Sequence, residues 1–265
     1  MTQSPIGRTT FVSANRWLSL ISILVFLAIW EVVARQKIIN PLLFPPPTEV
    51  AIAIWDWALS GDLLTDLGTT MWRLFVGLLL GGVTGSLVGL ATGRNRRLSA
   101  AFNPIIQFLR PLPPVAIIPL IIVWFGIGNV AKIFAISYGV FFPVWINTHL
   151  GASQIPVDYI RMGKLLSSSR WKRFRKIILP AALPEMVSGW RNSIAMAFIM
   201  AYVSELAGAS QGVGYRIDIN YLAYRIDRMM AALVILAILG ALSDWLFTQA
   251  IHKIFPWIKM RRSTD

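Results

Sequence analysis

The chain has 265 residues, of which 56% are hydrophobic and 14% charged, and its mean hydropathy is +0.63. This composition excludes an ordinary soluble domain, because apolar runs of about 20 residues are long enough to cross a hydrocarbon core of about 30 Å. The net charge of +13 does not indicate nucleic acid as a partner, because the charges lie in alternate loops between apolar runs, and the absence of cysteine excludes disulfides and thiolate metal sites.

The chain begins with a polar segment, residues 1–16, which we expect in the cytoplasm. The apolar run 17–34 is longer than the core of a secretory signal, so we predict that it is the first membrane span. After a proline-rich stretch, Thr48 is predicted to N-cap a helix over residues 49–60. The acidic and tryptophan side chains of this helix favour an external, partly amphipathic position at the membrane interface.

The second predicted span, residues 70–93, carries a glycine at every fourth position of one stretch. Such a stripe lets another helix approach closely, as in small-xxx-small packing. We expect the stripe to serve helix packing or an external gate, and its members are Gly77, Gly81, Gly85 and Gly89. Arginines within residues 94–97 then mark a cytoplasmic turn.

The third predicted span, residues 101–125, is interrupted near its middle by Arg110 and by several prolines. Broken helix at membrane depth is tolerated only where protein or a water-filled cavity receives it. A mid-span arginine costs about 2.5–3.5 kcal/mol on insertion scales, so it faces a cavity or a partner acid. One alternative is a structural ion pair with Glu205 or Glu31. The other is a translocation pathway, whose candidate residues are Arg110, Pro111, Pro113, Pro114 and Asn147.

The fourth predicted span, residues 133–152, leads into a basic loop, residues 153–183. Between residues 158 and 180, seven Lys/Arg stand against one acid. Two short helices are predicted here, the second N-capped by Ser169 and stopped by Pro180. Positive charge alone would hold the loop in the cytoplasm, but it does not explain two apolar faces at helical spacing. We therefore interpret the loop as a docking surface, with the candidate contact residues Tyr159, Met162, Leu166, Ser167, Trp171, Phe174 and Ile178.

The fifth predicted span, residues 185–207, carries Glu205 near its outer end and is followed by a glycine-rich external segment. Glu205 with Gly212 and Gly214 forms either an external gate or a helix end and turn that need glycine. The sixth span, residues 229–252, precedes a basic tail, residues 253–265. The positive-inside rule then predicts an all-α membrane protein with one transmembrane domain, residues 17–252, six spans and both termini in the cytoplasm.

No motif in the sequence indicates catalysis. The phosphate-binding pattern GxxxxGK[S/T] is absent, no His, Asp or Glu cluster has metal-ligand spacing, and the serine triplet 167–169 lacks a neighbouring base. We therefore expect neither a metal nor a cofactor nor an enzymatic activity in this chain. What remains is a pore-forming subunit whose energy source is a separate partner.

The basic loop resembles the coupling-helix motif of ABC importer permeases, which reads Glu-Ala-Ala, three residues, Gly, nine residues, Ile-x-Leu-Pro. Ile177, Leu179 and Pro180 match the end of this motif. The beginning departs from it, because the Glu-Ala-Ala and the Gly are replaced by Arg161, Met162, Gly163 and Ser167. This departure leaves open which groups of an ATPase the loop would meet.

Further stretches are similar to the nitrate/sulfonate/taurine/bicarbonate branch of these permeases, namely FPPPTEV (44–50), RPLPPVAIIPLIIVWFGIG (110–128), FPVWINT (142–148), LPAALPEMVSGWR (179–191) and SELAGASQGVGY (204–215). The resemblance implies a type I permease fold in a bacterial inner membrane, working as a homodimer. It also implies two cytoplasmic ATPase subunits, which bind ATP and Mg and dock on the coupling helices, and an external binding protein that delivers a small anion. ATP binding and hydrolysis would move that anion inward by alternating access.

The alternative function is that of an ion-coupled secondary transporter or a channel for a small solute. Such a protein needs pairs of intramembrane acids or inverted repeats with matched breaks. The sequence has one strongly interrupted span and no paired acids, which favours the subunit of an ATP-driven importer. The sequence does not name the substrate among nitrate, sulfonates, taurine and bicarbonate.

Overall fold

The computed structural model describes residues 10–36, 40, 42–166 and 169–257. Within these ranges the chain is helical and contains no strand, which confirms the predicted all-α class. The α-helices of the described ranges are α1 (Thr10–Arg35), α2 (Pro47–Leu59), α3 (Asp62–Arg94), α4 (Arg96–Leu109), α5 (Ile118–Phe125), α6 (Asn129–Ser153), α7 (Val157–Leu166), α8 (Arg170–Arg173), α9 (Leu179–Leu206), α10 (Val213–Leu222) and α11 (Ile226–Ile254). A 3₁₀ turn (Pro114–Ile117) precedes α5 and a π turn (Phe174–Ile178) precedes α9.

The core lies where α3, α6 and α9 pack together. Its most deeply buried side chains are apolar and include Ile121, Ile136, Val140, Val144 and Met200. Much of α1 and part of α11 instead expose large apolar side chains. This distribution is typical of helices whose surroundings are lipid, because such helices need no polar outer face.

The glycine stripe of α3 lies against α6. An ideal Cβ on Gly77 would lie 2.6 Å from Cβ of Ile136, and one on Gly85 would lie 2.8 Å from the carbonyl oxygen of Phe141. Contacts this short are not found for real side chains, so a larger residue would push the two helices apart. The stripe therefore serves the close backbone approach that its four-residue spacing predicts.

The predicted third span consists of two helices that meet at a sharp bend. The side chain of Asn95 caps α4 by accepting from the backbone N–H of Arg97 at 3.0 Å, so the helix begins earlier than predicted. The axis of α4 is bent by 86° from the helical segment that follows the break. The bend falls where Pro111 and Pro113 remove backbone donors, which is why neither helix continues across it.

Three of the described helices, α3, α6 and α11, are long and apolar enough to cross a membrane. The pair α4 and α5 adds a fourth crossing if the bent pair is one span. The six-span count and the cytoplasmic position of both termini stay predictions. Residues 1–9 and 258–265 lie outside the described part of the chain.

The helix predicted over residues 49–60 begins at Pro47, and no side chain caps it. The hydroxyl of Thr48 instead donates to the carboxylate of Glu31 at 3.0 Å, and Glu31 also pairs with Arg35 at 2.5 Å. The predicted Thr48 cap is therefore wrong. Proline suits the first helical position because its φ is fixed near the helical value and its missing N–H would have no partner there.

The basic loop forms two short helices, as predicted. The Ser169 side chain caps α8 by accepting from the backbone N–H of Lys172 at 3.3 Å. The predicted stop at Pro180 is wrong, because helical backbone continues from α8 through the π turn into α9. Pro180 is tolerated since it lies in the first turn of α9, where a missing N–H costs least.

Candidate functional site

Arg110 lies at the bend between α4 and α5, and its side chain is exposed. Neither predicted acidic partner binds it, because Glu205 pairs with Arg73 at 2.7 Å and Glu31 pairs with Arg35. No ion pair within the described ranges includes Arg110. The interpretation of Arg110 as half of a structural ion pair with either acid is therefore wrong, while its place on a pathway stays a prediction.

The other predicted pathway residues fall in two places. Pro111 and Pro113 are exposed at the bend, and Pro114 is half-buried there. Asn147 packs at the crossing of α6 and α9, where its Cβ occupies the space that a side chain at Gly189 would need. Its amide nitrogen donates to a carbonyl one turn earlier in α6 at 2.8 Å. Asn147 is thus already held by its own helix, α6, whereas the three prolines lie at the bend.

The basic loop exposes apolar side chains on one face. Tyr159 is 58% exposed, Met162 59% and Trp171 67%, and Leu165, which sequence reasoning did not select, is 88% exposed. A group of exposed apolar side chains rimmed by Lys and Arg is typical of a surface that contacts another macromolecule. Two further predicted contact positions lie outside the described part of the chain, namely the side chain of Leu166 and the whole of Ser167.

Phe174 and Ile178 lie on the inner face of the same loop. Both are partly buried in a small core formed by the adjoining ends of α3, α6 and α9. Phe174 also stacks with Trp171, with 5.6 Å between the ring centroids. The loop is therefore anchored to the three long helices by one face, while its other face stays exposed.

At the opposite end of the three long helices, Glu205 is buried in a polar cluster. Its carboxylate accepts from the Arg73 guanidinium at 2.7 Å, the Thr70 hydroxyl at 2.9 Å and the Gly214 backbone N–H at 2.8 Å. Burying a carboxylate is costly unless it is paired and hydrogen-bonded, as it is here. These contacts fix the beginning of α10 against α3 and α9.

Gly212 and Gly214 lie directly against this carboxylate. An ideal Cβ on Gly212 would be 2.6 Å from Cδ of Glu205, and Gly212 has a φ of +126°. Its backbone N–H donates to the Asp66 carboxylate at 2.7 Å. The geometry supports the interpretation as a turn that needs glycine, and the external gate stays a hypothesis.

Sequence reasoning missed the partners of the buried carboxylate. The available signal was weak: Asp66, Thr70 and Arg73 lie at helical spacing on one face of α3. Asp66 also binds Arg216 of α10 at 2.5 Å, and Asp62 lies 2.7 Å from the same guanidinium. Burial disfavours the charged form of Arg216, but the hydrogen bonds to the two carboxylates raise its pKa above the ordinary value.

The ranges that the structure describes contain no group of three or more His, Asp or Glu side chains that could bind a metal ion. The chemistry that these residues offer is that of binding charged groups and of holding helices in position.

A family model described as "Binding-protein-dependent transport system inner membrane component" matches residues 77–255. Two similar curated proteins extend the match. The "Putative aliphatic sulfonates transport permease protein SsuC" of Bacillus subtilis (strain 168) is 33% identical over 233 residues, which cover 88% of this chain and 84% of that protein. The "Taurine transport system permease protein TauC" of Escherichia coli (strain K12) is 30% identical over 245 residues, which cover 91% and 89% respectively.

Two solved structures share the fold. A chain of the MetNI methionine ABC transporter in an inward-facing conformation superposes with a TM-score of 0.64 at 23% identity, covering 74% of this chain and 98% of the matched chain. A chain from an amino acid ABC transporter, solved with histidines, gives a TM-score of 0.57 at 17% identity and covers 74% and 94%. These similarities confirm the type I importer permease fold.

Proposed function

Because the chain belongs to the family of binding-protein-dependent transport system inner membrane components, we propose that it is the permease subunit of an ABC importer that passes a sulfonate into the cytoplasm. It is a multi-pass protein of the inner membrane. The observation that carries the proposal is the similarity, along nearly the whole chain, to permeases named for aliphatic sulfonates and for taurine. Taurine is itself an aminosulfonate, so both names indicate one chemical class. Nitrate and bicarbonate are the other members of the predicted group of anions.

Two copies of this chain surround the pathway, and each carries an ATPase subunit docked on α7 and α8. ATP and Mg are bound by that ATPase, and an external binding protein delivers the anion to the opposite end. The exposed apolar face of Tyr159, Met162 and Trp171, rimmed by basic residues, supports this docking. The inner face of the loop would transmit the motion of a docked ATPase, since it is anchored to α3, α6 and α9.

Arg110 lies on the pathway in this proposal. Its guanidinium offers a positive charge that no described acid neutralises, at a bend where prolines interrupt the helix. The attraction has to stay weak, because an anion held tightly at the bend would not be released to the cytoplasm. High affinity for the substrate therefore belongs to the binding protein.

Uptake by the reconstituted complex tests this function. We expect proteoliposomes that contain the permease and its ATPase to accumulate labelled taurine only with the binding protein on one side and hydrolysable ATP on the other. A non-hydrolysable ATP analogue should give no accumulation. Uptake by the permease alone, driven by an ion gradient, would support the ion-coupled alternative and contradict the proposal.

A further inference from the structure

An open cleft of about 980 Å³ lies at the end of the long helices opposite α7 and α8. We call it the α3–α6 cleft, because it is bounded by the beginning of α3, the turn before α6 and the turn after α9. Its lining contains two cationic side chains and, among the described residues, no Asp or Glu. Polar side chains that line it include Arg73, Asn129, Lys132, Ser210 and Gln211.

Lys132 is a buried cation of this cleft whose charge the surrounding contacts do not account for. It is only 3% exposed, and its Nζ donates to the carbonyl oxygen of Ile127. An ammonium group has three N–H donors, of which the Ile127 carbonyl accepts from one. Within the described ranges, Lys132 has neither a second hydrogen-bond acceptor nor a carboxylate at ion-pair distance. The Glu205 carboxylate acts on Lys132 only from beyond ion-pair distance and is already paired with Arg73. A buried cation without a close counter-charge is costly, so the position of Lys132 indicates a further negatively charged partner.

Arg73, the other cation of the cleft, already has a counter-charge of its own. Arg73 is only 5% exposed, and its guanidinium is paired with the Glu205 carboxylate, so the two charges of this pair cancel. The Arg73 Nε donates to the side-chain oxygen of Asn129 at 2.9 Å, which holds the arginine against the wall of the cleft. The surplus positive charge of the cleft therefore belongs to Lys132.

The start of α6 adds a second source of positive potential. The N-cap residue Gly128 makes no side-chain cap, and both Gly128 and Asn129 line the cleft. The first backbone N–H groups of a helix have no intrahelical partner, and together with the helix dipole they favour an anion. Lys132 lies one turn into the same helix. The buried ammonium and the helix terminus thus act on the same volume.

We propose that the α3–α6 cleft binds a small oxyanion of the sulfonate type, with Lys132 as the charged ligand and the first N–H groups of α6 as further donors. The identity of the anion rests on the proposed function. The cleft lies at the end where an external binding protein would release its cargo, so the site would hold the anion before it reaches the bend at Arg110.

The cysteine-free sequence permits a direct test in the purified permease–ATPase complex. Ser210, exposed at the cleft, is replaced by cysteine, and two methanethiosulfonate reagents are compared, one bearing a sulfonate and one a trimethylammonium group. Ser60→Cys is the matched control, because Ser60 is exposed at the same end of the molecule but lines a different pocket, which does not include Lys132 and whose charged residues are Asp56, Asp62, Arg216 and Arg228.

We expect Lys132→Met to lower the ratio of anionic to cationic modification at position 210 by about tenfold, at the lower end of the effects of electrostatic steering. The ratio at position 60 should not change, and Lys132→Arg, which keeps the charge, should preserve the ratio at position 210. Added methanesulfonate should slow the modification of position 210 only when position 132 is cationic. An unchanged ratio together with no protection by methanesulfonate would overturn the proposal.

The outcomes separate this inference from the transport function. Protection by methanesulfonate in a complex that shows no ATP-driven sulfonate uptake would support the cleft as an anion site and refute the proposed function. Sulfonate uptake together with no protection by methanesulfonate and no change in the modification ratio would support the proposed function and refute the cleft as an anion site. Protection of the Ser210→Cys complex needs no Lys132 variant, so the test holds even if those variants do not assemble.

Discussion

Glu205 and Arg73 lie 132 positions apart in the sequence and form the most deeply buried ion pair of the described residues. Removing one partner of such a pair leaves a buried charge without a counter-charge, which typically costs about 3–5 kcal/mol. This cost is a large part of the free energy of unfolding of a typical domain. The Thr70 hydroxyl and the Gly214 N–H complete the shell around the carboxylate. At this scale, single contacts decide how the glycine-rich turn after α9 is held against α3.

Gly212→Ala should destabilise the permease by at least about 1 kcal/mol, since alanine would be strained at a φ of +126° and its Cβ would meet the Glu205 carboxyl group. The measurement is the midpoint of thermal unfolding in detergent. Gly68→Ala is the matched control, because nothing lies within 4 Å of an added Cβ there and alanine favours helix. Equal midpoints for the two variants would contradict the role given to the turn.

Arg110→Met should reduce sulfonate uptake by at least about tenfold, which corresponds to the loss of about 1.4 kcal/mol of charge stabilisation along the pathway. Assembly with the ATPase should be intact, as judged by co-purification, because no described ion pair depends on Arg110. Arg110→Lys keeps the charge and should retain part of the uptake. Full transport by Arg110→Met would remove this residue from the pathway.

At the scale of single elements, the basic loop has two faces that differ in exposure. Tyr159, Met162 and Trp171 are exposed, whereas Phe174 and Ile178 pack on the ends of α3, α6 and α9. The spacing of apolar residues indicates helices but does not tell which apolar face turns inward. The structure therefore places in different surroundings two aromatic residues, Trp171 and Phe174, that the sequence treats as equivalent.

Trp171→Ser and Phe174→Ser should have separable effects. Trp171→Ser should weaken binding of the ATPase and leave the unfolding midpoint of the isolated permease nearly unchanged, because the side chain is 67% exposed. Phe174→Ser should lower the free energy of unfolding by about 2–4 kcal/mol, and with it the midpoint, because a partly buried aromatic ring is lost from the core of the loop. Co-purification and thermal unfolding check the two effects. A stoichiometric, unweakened complex with Trp171→Ser would argue against docking on this face.

The spans that correspond to α3, α6 and α11 could be predicted from the sequence, because the length and hydrophobicity of an apolar run are local properties. The proline at position 180 was misread, since the π turn Phe174–Ile178 lets helical backbone lead into α9 with the proline in its first turn. The prolines of the third span predict a break in the helix, but they do not predict the 86° angle between its two parts. The partners of Glu205 could not be predicted, because no local pattern pairs residues that are distant along the chain.

At the scale of the whole molecule, α3, α6 and α9 join two chemically different ends. One end carries the basic loop with its exposed apolar face, and the other carries the Glu205 cluster and the α3–α6 cleft. α3 and α6 pack without room for side chains at Gly77, Gly81 and Gly85, and α9 packs on α6 without room for one at Gly189, so the three helices form a stiff connection between the ends. An ATPase bound at the loop would thus act on the cleft and on the bend through these helices.

The proposed docking requires the basic loop to face the cytoplasm, where an ATPase can reach it. Leu165→Cys, in the otherwise cysteine-free chain, provides an 88% exposed probe on that loop. Labelling with a membrane-impermeant maleimide should occur in inside-out vesicles only, and addition of the ATPase subunit should suppress it. Labelling of position 165 in right-side-out vesicles would contradict the account.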